Sequence, residues 1–349
     1  APSMEVVVAG RAIQGFGAGV IPALAFVAIG RAFPDELRPR MFAVLSTAWV
    51  VPGLIGPGVS ALIATHATWR LVFLGLLPLV LVAFFLTLPS LRRLPADDGV
   101  PDPHHLRDAL LVTAGAALFL AGLGAENALV VVGLGAAGLA LAAPGLLGLL
   151  PAGTFRARPG VPAAVLDRGL QTFAFFGTGA YVPLALTSIR GTSTAFAGLV
   201  LTVASLSWTG GSWIQQHRVH SVGVRPLVGT GLSFLVAGIA TVAVVLSPGV
   251  PLGVAVIGWA VAGLGMGLSM APEVVLVLRE APAGQAGRLT ASLLLADVLG
   301  VAVGTGIGGA LVAATETPGG WSLRTGLALA FAVPALVALV GVAVSRRLT

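Results

Sequence analysis

The 349 residues are 57% hydrophobic and only 9% charged, with a formal net charge of +6 at pH 7. A soluble domain carries roughly a quarter charged residues, so this composition excludes a chain whose whole surface faces water. Cysteine is absent, which excludes a disulfide framework and thiolate metal sites. Lysine is absent too, so all nineteen basic residues are arginine.

Apolar runs long enough to cross a bilayer as a helix, about 20 residues, recur along the whole chain. Lipid offers no partner to free backbone groups, so such runs must be helices. The short alternating segments of a membrane β-barrel are absent. The pattern predicts an all-α polytopic membrane protein with eleven spans, at roughly 5–29, 41–64, 70–88, 106–125, 128–150, 163–187, 194–215, 224–246, 251–278, 285–313 and 323–345. Connections are short except at 89–105 and 151–162. The first of these is polar and proline-punctuated and reads as a linker.

The first span carries Gly10-Arg11-Ala12-Ile13-Gln14-Gly15-Phe16-Gly17-Ala18-Gly19. Arg11 and Gln14, at i and i+3, share one helix face. Arg11 lies ~9 Å inside the span at 1.5 Å per residue. An ionisable group at that depth is costly and usually functional. Arginine stays protonated, so Arg11 would hold a carboxylate as its counter-ion or exclude a driving ion, unless it snorkels to the interface. The second span carries Pro52-Gly53-Leu54-Ile55-Gly56-Pro57-Gly58-Val59-Ser60-Ala61. Farther on, Glu126 and the pair Asp167-Arg168 fall at predicted span ends, which favours solvated or capping roles.

The span 163–187 holds Gln171, Phe175 and Tyr181, and the next holds Trp208 and Trp213. Aromatic faces of this kind suit a lipophilic cation, so Gln14, Gln171, Phe175, Tyr181 and Trp208 are candidates for a substrate cavity. An aromatic ring in a span equally serves the core or the lipid face. Glu273 follows Pro272 in the ninth span, and Asp297 sits a dozen residues into the tenth with no charge within four positions. The turn between these spans places the two carboxyls at similar depth on antiparallel neighbours. Such a pair could take up and release a proton, or each could be tied to a serine, a backbone carbonyl or an arginine such as Arg279. Arg11, Asp297 and Glu273 are therefore the candidates for proton coupling.

Sliding the chain by 248 residues superposes two stretches without a gap. Gly10, Gly15, Gly17 and Gly19 fall on Gly258, Gly263, Gly265 and Gly267, and Arg31, Pro34 and Arg40 fall on Arg279, Pro282 and Arg288. Gly56 and Gly58 fall on Gly304 and Gly306. A duplicated helix pair of this kind is the mark of a carrier built from two related halves. Small residues at such spacings let membrane helices approach closely, so Gly15, Gly19, Gly56, Pro57, Gly263, Gly267 and Gly304 form a gating and packing motif.

With the first residue outside and the last inside, arginines 31, 38, 40, 92, 93, 107, 156, 158, 168, 218, 225, 279, 288, 346 and 347 fall in cytoplasmic loops. Only Arg70, Arg190 and Arg324 fall in outer loops. This asymmetry sets the C-terminus in the cytoplasm. It also means that a chain starting outside, with almost nothing before its first span, would follow an odd number of earlier spans. The expectation is an N-terminally truncated sequence lacking three helices.

The Gly10–Gly19 segment resembles the helix-4 signature of major facilitator superfamily antiporters. Pro52 through Ala61 resembles the helix-5 antiporter motif, with Pro52, Ser60 and Ala61 standing where that motif has glycine. Trp69-Arg70-Leu71-Val72-Phe73 resembles the start of helix 6. Numbered this way, the chain is similar to the fourteen-helix drug:proton antiporter branch. The resemblance implies that 1–88 is the remainder of an N-terminal bundle, 89–105 a cytoplasmic linker, 106–150 two extra helices and 151–349 a six-helix bundle. It implies a role for Arg11 in proton coupling, and a monomer in the cell membrane that exports small lipophilic or cationic compounds by alternating access. The proton gradient is then the driving force, with no cofactor, metal or nucleic acid, and no enzyme motif is present. The alternatives are another carrier of the same fold, such as a nutrient or lipid symporter or uniporter, and an inactive remnant.

Overall fold

The computed structural model describes residues 3–34, 66–92, 103–125, 127–282, 285–316 and 320–349, with scattered positions between 37 and 63. Pro57 and Glu126, named above, lie outside the described residues, as does most of the predicted span 41–64. Every regular element described is helical. The chain divides into two compact units, Ala1–Val100 and Pro101–Thr349.

The first unit contains α1 (Met4–Ala32), α2 (Trp69–Leu74) and α3 (Leu76–Arg92). Gly75 separates the last two, and α3 runs on through Pro89. Phe85, Leu86 and Leu79 are exposed, as expected of side chains that meet lipid rather than water.

The second unit begins with α4 (Pro103–Leu123) and α5 (Ala128–Leu149), a closely paired hairpin. Asn127 caps α5 by accepting from the Leu129 N–H at 2.8 Å, which satisfies one of the donors a helix start leaves open. The two helices meet at glycines. A Cβ on Gly115 would stand 2.5 Å from the Gly138 carbonyl oxygen, and one on Gly138 would stand 2.6 Å from the Gly115 oxygen. This backbone-to-backbone approach supplies the packing attraction that joins helices in lipid.

Six spans follow: α6 (Val161–Gly179), α7 (Thr194–Val222), α8 (Val224–Val244), α9 (Gly253–Glu280), α10 (Ala286–Ala313) and α11 (Leu323–Ser345). A short helix at Val182–Leu184 and a π turn at Ala185–Ile189 extend α6 toward Arg190. Arg190 then ties the loop together, donating to the carbonyls of Val245 at 3.0 Å, Ser247 at 2.5 Å and Val250 at 2.7 Å. The core lies among α6, α8, α9 and α11, around the fully buried Trp259, Phe331, Leu232 and Met266. Nine helical segments among the described residues are long and apolar enough to span a membrane. The chain is thus an all-α multi-pass membrane protein. The offset of 248 carries Met4–Ala32 onto positions 252–280, and α9 occupies Gly253–Glu280, so the duplicated segments form helices of matching extent.

Candidate functional site: a buried charge cluster

Pro162 stands at the start of α6, where its missing N–H costs nothing. The helix therefore begins early, and Asp167, Arg168 and Gln171 are carried into the interior. Asp167 and Gln171 are fully buried and Arg168 nearly so. The solvated, span-end role expected for Asp167 and Arg168 is overturned: neither is at a span end. Arg168 is also not a loop arginine, although removing it from the count leaves the arginine asymmetry large.

Facing them, α9 presents Ser269 and Glu273, one helical turn apart on one face. Arg168 Nε donates to Glu273 Oε2 at 2.7 Å, and Gln171 Nε2 donates to the same oxygen at 2.7 Å. Ser269 Oγ donates to Gln171 Oε1 at 2.6 Å, which fixes the amide orientation. Arg168 Nη2 donates to the Met270 carbonyl. The counter-ion of Glu273 is thus Arg168, not Arg279, which pairs with Glu280 at 3.7 Å. Pro272 has no N–H to give the Leu268 carbonyl, so it loosens the α9 backbone beside the site.

Asp297 joins from α10. Thr172 Oγ1 donates to the Asp297 carbonyl at 3.1 Å, and the Asp297 carboxylate lies within electrostatic reach of both Arg168 and Glu273. Asp167 also lies within electrostatic reach of Arg168 and Glu273. One guanidinium therefore faces three carboxyl groups. Both oxygens of Asp167, Oε1 of Glu273 and Oδ1 of Asp297 have no donor among the described residues. Buried acceptors without donors are costly. The arrangement sets one guanidinium against carboxyl groups from α6, α9 and α10 within the helix bundle.

The remaining candidates fall elsewhere. Phe175 stacks on Trp259 with centroids 4.8 Å apart, and Trp208 meets Phe175 edge-on at 5.3 Å. Tyr181 donates its hydroxyl to the Thr305 carbonyl at 2.7 Å. Phe175 lies one helical turn beyond Gln171 on α6, and Gln171 belongs to the cluster itself. In the first unit, Arg11 is exposed, donates to Gln14 Oε1 at 3.1 Å and lies 5.9 Å from the Phe73 ring centroid. Gly263 and Gly267 sit where α9 crosses α7: a Cβ there would overlap the carbonyl oxygens of Ala204 and Trp208. Gly304 meets Phe173 of α6 in the same way, with its Cβ position 2.5 Å from the carbonyl oxygen. A Cβ on Gly15, Gly19 or Gly56 would meet no described atom within 4 Å.

Sequence reasoning placed Glu273 and Asp297 near one another, but it set Asp167 and Arg168 at a span end rather than beside them. The available signal was Pro162, which moves the helix start outward and leaves Asp167 about 8 Å inside it at 1.5 Å per residue.

The Major Facilitator Superfamily profile matches residues 1–215. A probable multidrug-efflux transporter of Mycobacterium tuberculosis is 28% identical, across 100% of this chain and 76% of its own length. The multidrug efflux pump SdrM of Staphylococcus aureus is 23% identical, across 89% of this chain and 70% of its own. In fold, the chain is similar to an auto-inhibited peptide transporter of the POT family, with a TM-score of 0.59 at 16% identity, covering 91% of this chain and 73% of that one. With its all-helical membrane architecture and a profile match over more than half its length, the chain belongs to the Major Facilitator Superfamily and is a membrane transporter rather than an enzyme.

Proposed function

We propose that the protein is a proton-coupled exporter of small lipophilic or cationic compounds. One observation carries the coupling: a buried arginine bonded to Glu273 of α9, with Asp167 of α6 and Asp297 of α10 in its electrostatic reach. A charge in such a place is expensive and is retained where ions or protons are handled. Protons entering or leaving Asp167, Glu273 and Asp297 would change which of them Arg168 balances. Because α6, α9 and α10 each contribute a partner, that change would be felt as a shift in helix packing. Exchange against substrate by alternating access of two bundles then follows the logic of carriers built from repeats. The export of drug-like compounds is supported by the similarity to the mycobacterial multidrug-efflux transporter and the staphylococcal multidrug efflux pump. Aromatic groups such as Phe175 and Trp208 would suit a cationic substrate. On this reading the chain functions in the cell membrane with its C-terminus in the cytoplasm, and 106–150 is an added helix pair beside a six-helix bundle.

The test is transport of a fluorescent lipophilic cation by the protein in an efflux-deficient host. Export that stops when a protonophore collapses the gradient supports the reading. Transport that continues at the same rate removes proton coupling, and no export of any lipophilic cation favours a different carrier substrate.

A further inference from the structure

Between α4, α5 and α10 lies a cavity of about 340 Å³, lined by His105, Leu149, Arg288, Ala291, Ser292 and Leu295. Its lining shares no residue with the charge cluster. Its origin is the way the α4–α5 hairpin meets the rest of its unit. The two hairpin helices close on one another through Gly115 and Gly138, and Leu120 of α4 packs against Gly306 of α10. Nearer the start of α10, Ser292 Oγ donates to the Leu149 carbonyl at 2.7 Å. That bond satisfies a carbonyl which the end of α5 leaves open, and it holds α5 to α10 without filling the space beside it.

The lining has two characters. Leu149, Ala291 and Leu295 make an apolar wall, and Arg288, with His105 beside it, makes a polar mouth with one fixed positive charge where α4 and α10 begin. The volume falls within the range of small-molecule sites, roughly 300–1,000 Å³. A ligand complementary to this wall and mouth has an anionic head and an aliphatic tail, and in a multi-pass membrane protein the bilayer itself supplies one. We infer that this cavity binds an anionic phospholipid, with the phosphate at Arg288 and His105 and an acyl chain against Leu149, Ala291 and Leu295. The lipid would seat the α4–α5 hairpin against α10. The inference does not depend on proton coupling or on the direction of transport.

Native mass spectrometry of the detergent-solubilised protein tests it, with dioleoyl-phosphatidylglycerol and dioleoyl-phosphatidylcholine as probes. The first phosphatidylglycerol should be retained about fivefold better than phosphatidylcholine, the preference expected of one basic side chain meeting an anionic head. Arg288→Gln should reduce that preference to near unity, while Arg346→Gln, away from the cavity, should leave it intact. Ala291→Phe, which fills the wall, should remove the first bound lipid of either kind. Inorganic phosphate at millimolar concentration should not displace the lipid, because the tail contributes to binding. An unchanged preference in Arg288→Gln, a first lipid still bound in Ala291→Phe, or displacement by phosphate alone would each overturn the inference.

Discussion

Arg168 shows how one side chain sets the terms for its neighbours. It is the sole cation described in the cluster, and its Nε and Nη2 are committed to Glu273 and the Met270 carbonyl. Removing one member of a buried ion pair is expected to cost about 3–5 kcal/mol. Arg168→Gln should therefore lower the thermal unfolding temperature of the purified protein clearly, and Arg168→Lys, which keeps the charge but loses the fork, should lower it less. Asp297 makes a cleaner probe of coupling because, among the described residues, Arg168 donates its hydrogen bonds to Glu273 and the Met270 carbonyl and not to the Asp297 carboxyl. Asp297→Asn should keep the protein folded and abolish substrate-driven proton movement in proteoliposomes. If proton release is undiminished, Asp297 leaves the mechanism and Asp167 and Glu273 remain.

At the scale of helices, the packing between α7 and α9 rests on absent side chains. A methyl group on Gly267 of α9 would overlap the Trp208 carbonyl oxygen of α7, whereas Gly210 of α7 has no described atom within 4 Å of its Cβ position. Gly267→Ala should destabilise the fold by about 1–3 kcal/mol, the usual cost of overpacking. Gly210→Ala should be neutral or stabilising by a few tenths to about 1 kcal/mol, since alanine is the better helix former. Thermal unfolding of the two variants side by side checks both. The sequence showed that the glycines were spaced for close approach. Which of them actually lie at a crossing depended on how the helices rotate about their axes, and glycine content alone does not fix that rotation.

For the whole molecule, the arginine asymmetry gives an expectation that is simple to measure. The chain has no cysteine, so Thr349→Cys provides a unique label site. In intact cells it should resist a membrane-impermeant maleimide and react once the membrane is opened. Labelling of intact cells would reverse the assigned orientation and with it the assignment of inner and outer loops.

Composition and hydropathy by themselves determined the class of solvent, the helical secondary structure and most span limits. The predicted spans at 224–246, 285–313 and 323–345 match Val224–Val244, Ala286–Ala313 and Leu323–Ser345 within two residues at each end. The bilayer imposes this legibility, because it requires continuous apolar length and internal hydrogen bonding from every span. Which charges share a site was decided only in three dimensions. Arg168 and Glu273 are separated by 105 positions, and hydropathy is blind to which face of a helix carries a lone charge. Tertiary packing turned Asp167 and Arg168 from apparent boundary residues into buried partners, because the helix start at Val161–Pro162 and the rotation of α6 against α9 direct them inward together.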